Sequence, residues 1–199
     1  MSAAPDRALD DLLTKIRGCT VCAPNFSHTP RPVIQASVTA RVCIAGQAPG
    51  TRVHATGMPF NDASGDRLRA WMGIEREIFY DANIVATVPM GFCFPGLDEK
   101  GGDRPPRPEC APLWRDKVFT HLPSLELILV VGQYAQRWHL GKRRKENLTE
   151  TVRAWRSYLP QLMPLPHPSW RNTGWLKKNP WFEQELLPEL RKRIAALTR

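Results

Sequence analysis

A short set of residues in this sequence has the types and spacing that chemistry requires. His167 sits between Pro166 and Pro168 in "LMPLPHPSWRN" (162–172), where an apolar run gives way to hydroxyl, indole, guanidinium and amide groups. Two prolines stiffen the backbone around a single imidazole, which suits a fixed hydrogen-bond donor. Cys19 and Cys22 form a C-x2-C pair, joined far along the chain by Cys93 and Cys110. Such a set can close a four-thiolate zinc site or hold a four-iron cluster. Cys43, in the apolar "ARVCIAG", reads as a buried and inert thiol. "GQAPG" (46–50) lets backbone approach a ligand closely, yet lacks the lysine and hydroxyl of a Walker loop. Phe60, in a polar loop, offers a stacking face, although core packing is the commoner use of a phenylalanine. Asp62 stands just ahead of a helix, which it can cap.

The elements that must position these groups follow from periodicity. Leu9, Leu12, Leu13 and Ile16 recur at helical spacing over 6–17. "ASVTARVCIAG", "FYDANIVATVPM", "LELILVVG" and "LMPLP" read as four strands, the third apolar enough to be covered on both faces. Helical segments fall between them: "SGDRLRAWMGI" with Ser64 as a candidate N-cap, then "TVRAWRSYL". "EQELLPELRKRIAALTR" reads as a closing helix interrupted by Pro188, and 95–112 as loop. Strands alternating with helices predict a three-layer α/β sandwich around a four-stranded parallel sheet, a single domain over 1–199. In such a sheet the loops after the first, second and fourth strands converge on one mouth.

Composition narrows the partners. Lys and Arg number 28 against 19 Asp and Glu, a formal charge of +9 that favours a polyanion or, equally, a solvated basic face. The run "GKRRKENL" (141–148) carries the same two readings. No run of about 18 apolar residues occurs, so no membrane-spanning helix is expected. The N-terminus lacks a signal peptide's apolar centre, which predicts a cytoplasmic protein. Structural disulfides are uncommon there, so the cysteines point to metal or catalysis.

Taken in order, "CTVC", "GQAPG", "TGMPFNDASGDRL", "CFPG…GDRPP…C" and "HPSWRN" resemble the uracil-DNA glycosylase superfamily, closest to its iron-sulfur-bearing families four and five. The resemblance spans about 19–182 and implies a DNA repair enzyme of base excision. That enzyme flips uracil from DNA, hydrolyses its N-glycosidic bond and leaves an abasic site. His167 would donate to uracil O2 as negative charge develops there, and Asp62 would position the attacking water. Phe60 would stack on uracil, with Gly46, Gln47 and Ala48 of the first motif and Asn83 of "DANIV" completing the base pocket. Gln47 and Ala48 stand where relatives carry first-motif carboxylates, which raises the burden on Asp62. Ser169, Trp170, Arg171, Asn172 and Lys177 would meet the DNA. Cys19, Cys22, Cys93 and Cys110 would hold a structural 4Fe-4S cluster, with zinc or no metal as alternatives. A monomer acting on uracil-containing DNA is expected. The alternative is a catalytically altered or non-catalytic nucleic-acid-binding member of the same fold. A zinc hydrolase is disfavoured because four thiolates leave no position for water.

Overall fold

The computed structural model describes residues 4–199. Strands β1 (Val42–Ala45), β2 (Val85–Thr87), β3 (Leu127–Val131) and β4 (Leu162–Leu165) form one parallel sheet in the order β2-β1-β3-β4. Val42 pairs with Val85 on one side and Leu127 on the other, and Ile128 pairs with Leu162. Parallel neighbours need crossovers, which helices supply. Helix α1 (Ala4–Arg17) precedes the sheet. Helices α2 (Thr51–Thr56), α3 (Ala63–Met72) and α4 (Arg76–Tyr80) link β1 to β2, and α5 (Cys110–Phe119) links β2 to β3. Helices α6 (Gly132–Leu140) and α7 (Leu148–Arg153) lead to β4, and α8 (Thr173–Lys178) and α9 (Leu187–Leu197) follow it. Among the described residues no helix is long and apolar enough to cross a membrane.

Alternate strand residues feed two core layers. Val42, Ile44, Leu127 and Leu129 pack with Trp71 of α3 and Leu190 of α9. On the opposite face Cys43 and Ala86 meet Leu13 of α1 and Val118 of α5, while Ala45 and Val130 meet Ala135 of α6. Helices therefore cover both faces of the sheet, as the sequence predicts. Burial on both sides explains why the strands read as unbroken apolar runs. Cys43 is fully buried, and desolvation pushes its thiol up to about 12, consistent with an inert role.

Several boundaries differ from expectation. β1 begins only at Val42, because the Ala40 N–H closes a turn onto the Ser37 carbonyl just before it. Phe79 and Tyr80 end α4 instead of opening β2. Asp62, not Ser64, caps α3, its carboxylate accepting the Gly65 N–H at 2.9 Å. Pro188 lies in the first turn of α9, where a missing N–H removes no helical bond, so it starts the helix and does not interrupt it. A π-helical turn, Phe182–Leu186, precedes it.

Two internal constraints hold the segments nearest the sheet's carboxyl end. Arg115, fully buried, donates to the carbonyls of Val88 and Pro89, the latter at 2.7 Å, and its other nitrogen touches His139. It thereby fixes the chain as it leaves β2. Burial, together with the neighbouring guanidinium, pushes His139 down to about 3. Phe60 adopts a left-handed backbone, φ 52°, which is costly for a bulky residue. Gly65 makes room for it: a Cβ at Gly65 would lie 1.7 Å from the Phe60 carbonyl oxygen.

Both constraints are testable by stability. An unfolded histidine binds a proton below about 6.5, whereas His139 stays neutral in the fold down to about 3. This group alone should remove up to about 1.4 kcal/mol of stability per pH unit as pH falls from 6.5. Denaturant titrations from pH 7 to 4 should show a shallower loss for H139N than for the wild-type protein; parallel curves would contradict the assignment. Gly65→Ala should cost about 2–3 kcal/mol through overpacking. An unmoved denaturation midpoint would show that Phe60 is not held this way.

Candidate active site

Strand order reverses at β1, since the chain runs outward to β2 and then returns to β3 on the other side. The crevice beyond the strand ends at such a reversal is where open α/β sheets bind ligands. A cleft of about 630 Å³, open to solvent, lies there. Its walls include Gly46 and Ala48 after β1, Phe60 and Asp62 ahead of α3, and His167 and Ser169 after β4. The convergence expected for the loops after β1 and β4 is therefore present. Pro89, from the loop after β2, also lines the cleft.

His167 is held from two directions. The Ser169 N–H donates to His167 Nδ1 at 3.2 Å, and the Asn172 amide donates to the His167 carbonyl at 2.7 Å. Because Nδ1 accepts, the proton of the neutral ring resides on Nε2. Burial holds this imidazole below its ordinary range, against the smaller opposing pull of Asp62. The ring is thus a neutral donor at physiological pH. Gly132 lies beneath it, with a left-handed backbone, φ 80°.

Asp62 combines the two roles the sequence leaves open, because its carboxylate both caps α3 and lines the cleft. Phe60 rests against the Gly46 backbone, where a Cβ would approach its ring to 3.2 Å. Its carbonyl accepts from Arg69 at 3.5 Å and from the Tyr80 hydroxyl at 3.4 Å. Gln47 turns its amide to the Arg104 carbonyl at 3.2 Å and is not among the residues lining the cleft.

The structure does not bring Asn83 to the cleft. It precedes β2, at the far end from Thr87, and its side-chain oxygen accepts from Ser37 at 2.9 Å. Other polar side chains in the walls are Ser64, Thr87 and Asp103. Asp103 reaches the first-motif loop, its Oδ2 3.6 Å from where a Cβ on Gly50 would stand. Burial chiefly raises its pKa, with Arg171 opposing and Asp62 and Asp98 adding to the rise. The signal for Asp103 was an acid directly after two glycines in "GGDRPP"; only the fold shows which loop it faces.

At the rim, Trp170 is 73% exposed and Arg171 lies over its ring at 5.7 Å. Arg171 also donates to the Gly101 carbonyl, joining the loop after β4 to the one carrying Asp103. Lys177 is exposed on α8. Trp175 and Trp181 belong to the core instead: their rings meet at 5.8 Å, and the Trp175 indole donates to Thr149. The basic run 141–147 is exposed throughout.

Cys19, Cys22, Cys93 and Cys110 line one cavity at the junction of α1, the loop after β2 and α5. Cys110 Sγ accepts the Phe92 N–H at 3.3 Å. Desolvation first, and then neighbouring thiols, raise Cys93 to about 12, while desolvation raises Cys110 to about 11. No group of three or more His, Cys, Asp or Glu among the described residues is arranged to hold a metal ion. The four thiols share a cavity but are not gathered as a set of metal ligands among the described residues.

This chain is similar to known proteins in two comparisons. A solution NMR structure of a "putative Uracil DNA glycosylase" from Methanosarcina acetivorans is 17% identical. The match covers 79% of this chain and 92% of that one, with a TM-score of 0.44. The family model of the Uracil DNA glycosylase superfamily matches residues 34–191. This chain belongs to the uracil DNA glycosylase superfamily.

Proposed function

We propose that this chain hydrolyses the N-glycosidic bond of uracil in DNA. The observation that carries the reading is the Ser169 N–H bonded to His167 Nδ1, which leaves Nε2–H as a donor in a cleft that also holds Phe60 and Asp62. Breaking the bond sends its electron pair to the departing base and leaves an electron-poor sugar. A neutral donor near the base's O2 strengthens as charge accumulates there, so it favours the transition state over the bound substrate. Asp62 would hold the water that attacks C1′ and accept its proton. Phe60 would stack on the extruded base.

Losing the first-motif carboxylates at Gln47 and Ala48 is the feature that favours an altered or non-catalytic member. Asp103 weighs against that reading, because it returns a carboxylate to the same loop from another part of the chain. On the DNA side, Ser169 would meet a phosphate, Trp170 or Arg171 would fill the vacated stack, and Asn172 would brace the loop. Lys177 would add a phosphate contact. The four cysteines would hold a 4Fe-4S cluster, whose contribution would be structural, tying α1 to α5. Hydrolysis needs no redox step. The free cysteines suit a reducing cytoplasm, and no second subunit is required by the cleft.

An oligonucleotide with one deoxyuridine, incubated with the protein and then treated with alkali, tests the reading. Wild-type protein should cause strand scission; His167→Ala should slow it by about 100-fold or more. Asp62→Asn keeps the helix cap, since asparagine caps as well as aspartate, and should also cost about 100-fold. Undiminished scission in either variant would remove that residue from the mechanism. Because burial holds His167 below its ordinary pKa, the rate should hold between pH 8 and 6.5 and fall only in more acid solution. Lys177→Ala should weaken binding to all sequences alike and reduce the salt slope by about 1. A sequence-dependent loss would contradict a phosphate contact.

A further inference from the structure

A second depression, a groove of about 1060 Å³ open to solvent, lies between α6 and the proline-rich loop ahead of α5. Tyr134, Arg137 and Trp138 line it from α6, and Pro105, Pro106 and Arg107 from the loop. Tyr134 and Trp138 stand one helical turn apart, on the same side of α6. Trp138 is 38% exposed and Tyr134 half-buried, so both keep aromatic surface open to the groove. No acidic side chain lines it among the described residues, and Glu109, which follows Pro108, is tied to Arg107 at 2.6 Å. Arg137 is exposed, as are Lys142, Arg143, Arg144 and Lys145, which follow α6 in the chain.

The groove adjoins the cleft that holds His167. Met90, in the groove wall, donates its N–H to the carbonyl of Gly46, in the cleft wall, at 2.9 Å. Gly91 closes the seam: a Cβ there would stand 2.9 Å from Cβ of Pro106, a groove residue, and 3.7 Å from Cβ of Ala48, a cleft residue. A strand with one base in the cleft therefore has the groove as its neighbour. Unpaired cations attract phosphates and open aromatic rings take base faces, the combination that grips single strands. A duplex stacks its base faces on one another and offers them to no ring. We infer that the groove between α6 and the 105–108 loop binds unpaired nucleotides flanking the base held in the cleft, so that single-stranded DNA is the favoured substrate; the inference rests on the proposed glycosylase reading. A peptide could also use the rings, but the basic run beyond Trp138 continues a charge that a phosphate backbone matches.

The test compares two forms of DNA on the same variants. Fluorescence anisotropy measures binding to a uracil-free single strand of about 16 nucleotides and to its duplex, over a series of salt concentrations. Wild type should bind the single strand more tightly than the duplex. Trp138→Ala should weaken single-strand binding about tenfold and duplex binding by no more than about twofold, while Trp138→Phe, which keeps a ring, should stay within about threefold of wild type on both. Arg137→Ala should reduce the single-strand salt slope by about 0.7. A general loss of folding would weaken both forms alike, so the ratio carries the result. Equal weakening of the two forms, no weakening of either, or tighter binding of the duplex by wild type would overturn the inference and leave the glycosylase reading intact. Because these strands carry no uracil, a wild type that meets every expectation here yet leaves deoxyuridine uncut in a parallel assay would overturn the glycosylase reading while the groove's binding stands.

Discussion

The hydrogen bond from the Ser169 N–H to His167 Nδ1 is the constraint on which the rest of the site depends. A neutral imidazole has one donor and one acceptor nitrogen, and this bond decides which is which. Without it, the ring could turn its lone pair to the base and repel the charge it is meant to stabilise. The prolines on either side and the Asn172 bond to the His167 carbonyl serve the same end, since they hold the peptide from which the ring projects. Burial then keeps the ring neutral. The loop after β4 is therefore rigid for a chemical reason.

A comparable logic organises the opposite wall. Phe60 is forced into a left-handed backbone, and that conformation persists because Gly65 accepts the close approach while Arg69 and Tyr80 bond its carbonyl. Asp62 sits between the strained residue and α3, so one carboxylate anchors the helix and faces the cleft. Arg115 does similar work beneath the exit of β2, at the cost of burying a cation whose nearest partners are carbonyls and a neutral ring. The scaffold spends local stability to fix the groups around the mouth.

Much of this was legible in the sequence. The four apolar runs gave the strands because a sheet covered on both faces requires them, and the proline-flanked histidine marked its own loop. The cysteines could be grouped by spacing, and they do line one cavity. What stayed hidden depends on tertiary neighbours. Asn83 looked like a base reader by its place near β2, but it precedes the strand and bonds back to Ser37. Thr87 fits an ordinary strand pattern, and only the fold shows its buried hydroxyl without a hydrogen-bond partner. Asp103 lay in a proline-rich loop whose direction no local pattern encodes. Pro188 looks like a helix breaker in sequence because periodicity alone does not show where a helix begins.

The most direct test of the central claim is the protonation state of one ring. Nitrogen NMR of selectively labelled histidine, with His167→Gln to assign the signal, reports which imidazole nitrogen carries the proton. Here the expected state at pH 7 is a neutral ring protonated on Nε2, unchanged when uracil is added. A ring protonated on Nδ1, or a doubly protonated one, would contradict the account.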